Sequence, residues 1–313
     1  MPRLTVVFDA NAYRSISQER LATVMSRERS RGVVAGTCYP VVQELLGHLA
    51  SPEDPDYGSC WHAVGRLVEH CKRFDGRQHQ IEFAADVIEQ IVLRYWRIRL
   101  EDLGVPDQYA DLLGAVVDGR ARDNPAHYRT VFSQVGVIVR EHRSMFVEGI
   151  DRLCDQFQSR IATVNGSPLD MQSQRKRRHE FREILASSHA ARRWAASLFY
   201  QQARSVVASD PTTSAEEVIE SIASDFATPI HFLTTIVAKA VLDGMNLRRR
   251  ESLAFDTRIS FLASEVAQAN GIPARLVTDD GAIREAAAAA GMSHRLQTLD
   301  EYITLLHTDV ADW

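Results

Sequence analysis

The sequence predicts an α/β domain built on a central parallel sheet and interrupted by a large all-α helical insertion, and three observations predict it. Leu4-Thr5-Val6-Val7-Phe8 is a continuous β-branched and aromatic run of the kind that forms a buried parallel strand. From 51 to 250 the apolar residues follow helical spacing with no convincing strand, and strand–helix alternation returns after 250. Residues 1–50 and 251–313 therefore make one small α/β domain of 113 residues, a usual domain size, split by the helical insertion of residues 51–250.

The first strand ends at Asp9-Ala10-Asn11, which places Asp9 at the carboxyl edge of the sheet, where open parallel sheets bind ligands. A helix is expected from 12 to 29, then a short strand over Gly32-Val33-Val34-Ala35. Pro40 suits the first position of a further helix whose apolar face is Val41, Val42, Leu45, Leu46 and Leu49, with Glu44 among them. Inside the insertion, Ile81, Ala84, Val87, Ile88, Ile91, Val92 and Tyr95 share one helical stripe, and helical runs cover 126–164, 170–208 and 215–245. Asn165-Gly166-Ser167-Pro168 and Ser209-Asp210-Pro211 separate them. The last part reads as a helix over 257–269 closed by Asn270-Gly271, a strand over 274–278, a helix over 282–290 ending at Gly291, and a final strand and helix within 294–306.

Composition narrows the function. The 313 residues are 45% apolar, enough for a full core. The 36 cations against 41 acids leave −5, so bulk positive charge does not coat nucleic acid, and any phosphate contact needs a local patch or a metal. Cys38, Cys60, Cys71 and Cys154 form no CxxC and no zinc-like pairing with histidine, which fits free thiols in a reducing cytoplasm. The apolar run at the N-terminus is too short for a signal peptide, and no stretch is long enough for a membrane helix.

Asp9 and Asp280 each follow an apolar strand, while Glu44 and Asp256 stand at or near helix starts. Four carboxylates are thus expected to meet at one end of the sheet. Such a gathering is unfavourable unless cations bind, and hard oxygen ligands suit Mg²⁺ or Mn²⁺. Taken singly, Asp256, Asp279 and Asp280 equally fit helix N-caps, Glu44 a boundary residue, and Asp9 a turn former beside Asn11. None of the 11 histidines forms HExxH or a close HxH pair, so a zinc hydrolase has no support.

Val7-Phe8-Asp9-Ala10-Asn11-Ala12, Val41-Val42-Gln43-Glu44-Leu45-Leu46, Phe255-Asp256-Thr257-Arg258-Ile259 and Leu276-Val277-Thr278-Asp279-Asp280, taken in this order, resemble the PIN-domain ribonucleases, including VapC-type toxins. Arg295 to Tyr302 resembles that family's closing strand and helix; the likeness covers only the 113 split residues. The resemblance implies a three-layer α/β/α nuclease fold, Mg²⁺ or Mn²⁺ dependence and hydrolysis of single-stranded or structured RNA such as tRNA, in a toxin or defence effector. It further implies metal ligands at Asp9, Glu44, Asp256 and Asp280, with Asp279 a second candidate at the last position and Asn11 and Thr278 as hydrogen-bonding support. Asp243 competes with Asp256 as third acid, because the insertion between the second and third acids is longer than in compact toxins.

Within the insertion, residues 171–205 carry Arg175, Lys176, Arg177, Arg178 and four more arginines against only Glu180 and Glu183, and Arg248-Arg249-Arg250 lies just before Asp256. These clusters are candidate RNA contacts or solvated helix faces. Arg182 and His189 resemble the Arg/His spacing of HEPN-type ribonucleases. The bundle equally suits an antitoxin or regulatory protein, or a second copy of the chain. Two other functions compete: a HAD-like phosphatase with Asp9 as nucleophile, in which Asn11 replaces the usual second Asp, and a catalytically inactive PIN-fold scaffold.

Overall fold

A computed structural model describes residues 4–74, 79–99, 104–164, 167–187, 189–207, 211, 213–243, 253–264, 266–269 and 272–308. Strand β1 (Thr5–Phe8) is wholly buried, and Asp9 starts α1 (Ala10–Ser15) by accepting the Ala12 N–H at 2.6 Å. The single helix expected from 12 to 29 is instead two. Ile16 is buried with extended backbone, and Ser17 opens α2 (Gln18–Arg31) by accepting the Arg20 N–H. Gly32, at φ +69°, ends α2 in left-handed geometry and leads to β2 (Val34–Gly36). Pro40 lies in the first turn of α3 (Tyr39–Gly47), where its missing N–H has no helical partner to lose.

Helix α4 (Tyr57–Cys71) packs against β2, α1 and α3 and continues into a hairpin of β3 (Lys72–Phe74) and β4 (His79–Ile81). Two strands thus occur where helical periodicity alone was expected. Helix α5 (Val87–Trp96) begins only at a capping box of Asp86 and Glu89. Ile81 and Ala84 precede it because Thr37 donates its N–H to the Glu82 carbonyl and accepts the Ala84 N–H, which bridges Phe83 to the edge beyond β2.

The helical part continues with α6 (Val105–Val117), α7 (Arg120–Asp123) and α8 (Pro125–Ala162), whose 38 residues span about 57 Å. A small hairpin, β5 (Thr163–Val164) and β6 (Ser167–Pro168), turns the chain into α9 (Met171–Ser187). Then come α10 (His189–Val206), α11 (Ala215–Asp225) and α12 (Ala227–Asp243). The helix expected over 257–269 is shorter: α13 (Leu253–Ile259) passes into a tight turn at Ser260–Ala263 and then β7 (Gln268–Ala269). Strand β8 (Ile272–Val277), α14 (Gly281–Ala289), β9 (Leu296–Gln297) and α15 (Leu299–His307) close the chain.

The protein is therefore mixed α/β with a helical majority. Strands β2, β1, β8 and β9 lie side by side and parallel, and β7 pairs antiparallel with β8. From β1 the chain moves to β2 on one side, and β8 returns on the other, so strand order reverses between β1 and β8. Their carboxyl ends flank the crevice that such a reversal opens. One continuous cluster of buried apolar side chains runs from Val6 in the sheet through Ile91 and Phe199 to Leu306. No helix among the described residues is long and apolar enough to cross a membrane.

Two buried polar networks join these elements. Tyr302 donates to Glu28 Oε1 at 2.7 Å, and His70 Nε2 lies 2.8 Å from Glu28 Oε2. A carboxylate only accepts, so His70 donates through Nε2. Its Nδ1 then receives the Tyr13 hydroxyl at 3.0 Å, and the Tyr13 oxygen receives the Cys71 thiol at 3.2 Å. Every member has its partner, and α1, α2, α4 and α15 are tied together. The second network runs from Asp86 to Arg258, from Arg258 to Gln43 Oε1 at 3.4 Å, and from Gln43 Nε2 to the Tyr109 hydroxyl at 2.8 Å.

Removing the acceptor at the centre of the first network takes the carboxylate away from two buried donors, Tyr302 and His70. Glu28→Ala is expected to lower stability by about 3 kcal/mol, and Tyr302→Phe by about 1.5 kcal/mol, as read from urea unfolding midpoints. Equal, small losses for both would show that the network does not hold these helices.

Candidate active site

Asp9 is the best-defined acid. Its backbone N–H continues the β1–β8 ladder by donating to the Val277 carbonyl, so the residue is fixed at the strand end before its side chain makes any contact. One carboxylate oxygen accepts the Ala12 N–H and the other accepts the hydroxyl of Thr278, which is wholly buried. Thr278 Oγ1 in turn accepts the Asp280 N–H at 3.1 Å, so one hydroxyl links the first and last acids of the predicted set. Asp280 caps α14 through the Ala282 and Ile283 N–H groups, at 2.8 and 2.9 Å. Asp279 is exposed.

Asp9 is only 4% exposed, and burial pushes its carboxyl up to about 6. The Thr278 hydroxyl and the Ala12 N–H pull in the opposite direction, and the charges of Glu44 and Asp279 raise it further. Glu44, from α3, is also raised by burial, against the pull of Arg14, His48 and Arg143. Arg14 Nη2 lies 3.4 Å from Glu44 Oε1 and 3.2 Å from the Cys60 sulfur. Arg143, on α8, lies with its guanidinium 4.9 Å from the centre of the Phe255 ring, beside Asp256. Two arginines therefore face the acids. Arg14 was open to detection, being five residues after Asp9 on the helix that Asp9 caps. Arg143 carries no local signal.

Asp256 is half-buried on α13, which packs against α3, the helix of Glu44. Asp243 is the last residue of α12. Asn11 is exposed and accepts from Arg14 at 3.5 Å. The structure thus joins Asp9, Thr278 and Asp280 by hydrogen bonds and sets the charges of Glu44 and Asp279 against Asp9. Among the described residues, no three of the predicted acids place ligand atoms within 4.8 Å of one another; His48, Asp54 and Asp56 do. Asp54 meets His48 Nδ1 at 3.0 Å and the Asp56 N–H at 2.8 Å, and although burial opposes it these contacts hold its carboxyl below the ordinary range. His48 stands four residues after Glu44, a spacing that places the two on one face of the helix end.

In the basic segment, Arg175, Lys176 and Arg178 are exposed on α9, whereas half-buried Arg177 donates to the Thr163 carbonyl at 3.0 Å. His189 is engaged with Glu220 at 3.1 Å. Arg248, Arg249 and Arg250 lie outside the described residues. Compared with known proteins, the chain matches no family model, no curated protein and no solved structure.

The raised carboxyl of Asp9 has a stability consequence with a definite sign. An aspartate in the unfolded chain ionises near 3.8, and Asp9 in the folded protein near 6. Between these values the folded state holds a proton that the unfolded state has released, so stability falls as pH rises through the interval and the whole cost is present above it. Asn keeps an oxygen for the Ala12 N–H without the charge but turns an NH2 donor toward the Thr278 hydroxyl, which offsets part of the gain of about 3 kcal/mol that the shift represents. Asp9→Asn in EDTA is expected to be more stable than wild type at pH 7 by about 2 kcal/mol, the gain fading toward pH 4. Urea midpoints at both pH values check it, and a loss of stability at pH 7 would reverse the assignment.

Proposed function

We propose that the protein is a metal-dependent endoribonuclease of PIN type that hydrolyses phosphodiester bonds in single-stranded or structured RNA. The observation that carries this reading is the joining of Asp9 to Thr278 at the carboxyl ends of adjacent parallel strands, with Glu44 and Asp279 close enough to raise the Asp9 carboxyl. An all-carboxylate donor set fits a hard cation, and the mutual repulsion of Asp9, Glu44 and Asp279 is what such a cation would relieve. Asp9, Glu44 and Asp280 would hold it, with Asp256 and Asp279 as further ligands. A bound Mg²⁺ or Mn²⁺ supplies charge neutralisation and a more acidic water. Thr278 orients the Asp9 carboxylate, while Arg14 and Arg143 offer positive charge to the phosphate. Exposed Arg175, Lys176 and Arg178 add a phosphate-binding surface, and partners beyond RNA include an antitoxin, a regulatory protein or a second copy.

A second reading, an inactive scaffold, draws on one observation: Glu44 is already paired with Arg14 and Asp280 already caps a helix. The test is cleavage of a panel of mixed single-stranded RNA and tRNA with Mg²⁺, Mn²⁺ or EDTA. Cleavage is expected only with metal, abolished in Asp9→Asn, and lowered about 10- to 100-fold in Thr278→Val, which keeps the ligand and loses its support. Cleavage that survives Asp9→Asn would refute the assignment, and absence of both cleavage and metal binding would establish the scaffold. Metal binding lost in His48→Ala but kept in Asp9→Asn would move the metal to the His48, Asp54 and Asp56 group.

A further inference from the structure

A second concave feature is lined by α4. One face of α4 and the end of α6 with α7 enclose an open cleft of about 460 Å³, within the size range of small-ligand sites. Trp61 forms one wall and Val117, 52% exposed, forms another. Arg122, exposed, lies with its guanidinium 4.9 Å from the centre of the Trp61 ring, and the Tyr57 ring supports Trp61 at 5.7 Å. Gly65 lines the cleft one turn after Trp61. Glycine is the most unfavourable residue in a helix interior after proline, yet a Cβ at Gly65 would meet nothing within 4 Å. Among the described residues nothing packs against that position, which borders open space within the cleft.

The cleft connects to the acidic edge through short, defined contacts. Arg66 lines it and donates to the Tyr13 and Arg14 carbonyls at 2.9 and 3.1 Å, which fixes α4 to the end of the helix that Asp9 begins. Cys60, directly before Trp61, accepts from the same Arg14 that pairs with Glu44. Glu69, at the far end of the α4 face, is held by Gln18.

We propose that this cleft is a nucleobase subsite, in which an unpaired base of single-stranded RNA stacks on the outer face of the exposed Arg122 guanidinium, itself seated on Trp61, while the strand runs on past α1 to the acids. It rests on the ribonuclease reading and adds how the substrate is held. A planar aromatic ring, a guanidinium that stacks, and an apolar wall recognise the face of any base, so selection is for unpaired strands over duplex and not for sequence.

Binding is measured in EDTA, apart from cleavage, by fluorescence anisotropy of a labelled single-stranded RNA of about 12 nucleotides, with a duplex of equal length as comparison. Trp61→Ala is expected to bind the single strand about tenfold more weakly, and Trp61→Phe to recover most of the loss. Gly65→Leu places its Cβ in open space and extends into the cleft, so it is expected to keep the melting temperature and to weaken binding as Trp61→Ala does. Single-strand binding unchanged in both Trp61→Ala and Gly65→Leu, or no preference of wild type for the single strand, overturns the subsite. No RNA binding by wild type overturns it too and leaves the cleft to a protein ligand. Trp61-dependent binding without metal-dependent cleavage would keep the subsite and refute the nuclease; Asp9-dependent cleavage unaffected by Trp61→Ala would do the reverse.

Discussion

Everything at the candidate site depends on the pairing of β1 with β8. The register sets Phe8 opposite Val277, so Asp9 and Thr278 are the first residues beyond the ladder on adjacent strands. A slip of one residue would present the opposite face of β8 and set Asp279 in place of Thr278 beside a buried carboxylate, exchanging a donor for a second negative charge. Register and site chemistry thus agree. The two residues are 269 positions apart, and closing so long a loop would seem to oppose the pairing. Loop-closure entropy grows only with the logarithm of length, however. Lengthening the loop about fourfold with an insertion costs about 1.2 kcal/mol, which a segment that buries its own core readily offsets.

The insertion is not an appendage to this sheet. Asp86 is fully buried, caps α5 and pairs with Arg258, two residues beyond Asp256. Arg258 also reaches Gln43, the neighbour of Glu44 on α3. A buried ion pair gives uncertain net stability because both charges lose water. Its effect here is positional: the helix carrying the third predicted acid is set against the helix carrying the second by a residue from the inserted segment.

What was legible in the sequence is what local chemistry determines. β1 was legible because a run of β-branched and apolar residues ends abruptly in an acid, and α3 because Pro40 announces a first turn. Asp9, Thr278 and Asp280 were legible for the same reason, each standing at a strand end or helix cap. The break at Ile16 and Ser17 was not, because buried Ile16 fits helical periodicity as well as it fits a turn. Ile81 and Ala84 were misassigned because a stripe of apolar residues crosses from an edge strand into α5 without changing its spacing. Arg143 stands on a distant helix, and nothing adjacent in sequence links it to Glu44 or Phe255. Long-range electrostatics leaves no mark on local pattern.

Capping and metal binding are not rival roles for these acids. A carboxylate has two oxygens and about four acceptor positions, and capping engages only part of them. Asp280 uses one oxygen for both N–H groups of α14. Asp9 divides its two between a helix N–H and the Thr278 hydroxyl, and both retain capacity. These bonds lock the rotamers in advance, as a ligand set must be locked if a cation is to bind without reordering it. The burial that raises the Asp9 carboxyl remains uncompensated by hydrogen bonds, since two donors fail to bring it back to the ordinary value. Burial, together with the charges of Glu44 and Asp279, outweighs those two bonds, so the Asp9 position is set by the fold and its raised carboxyl by its surroundings.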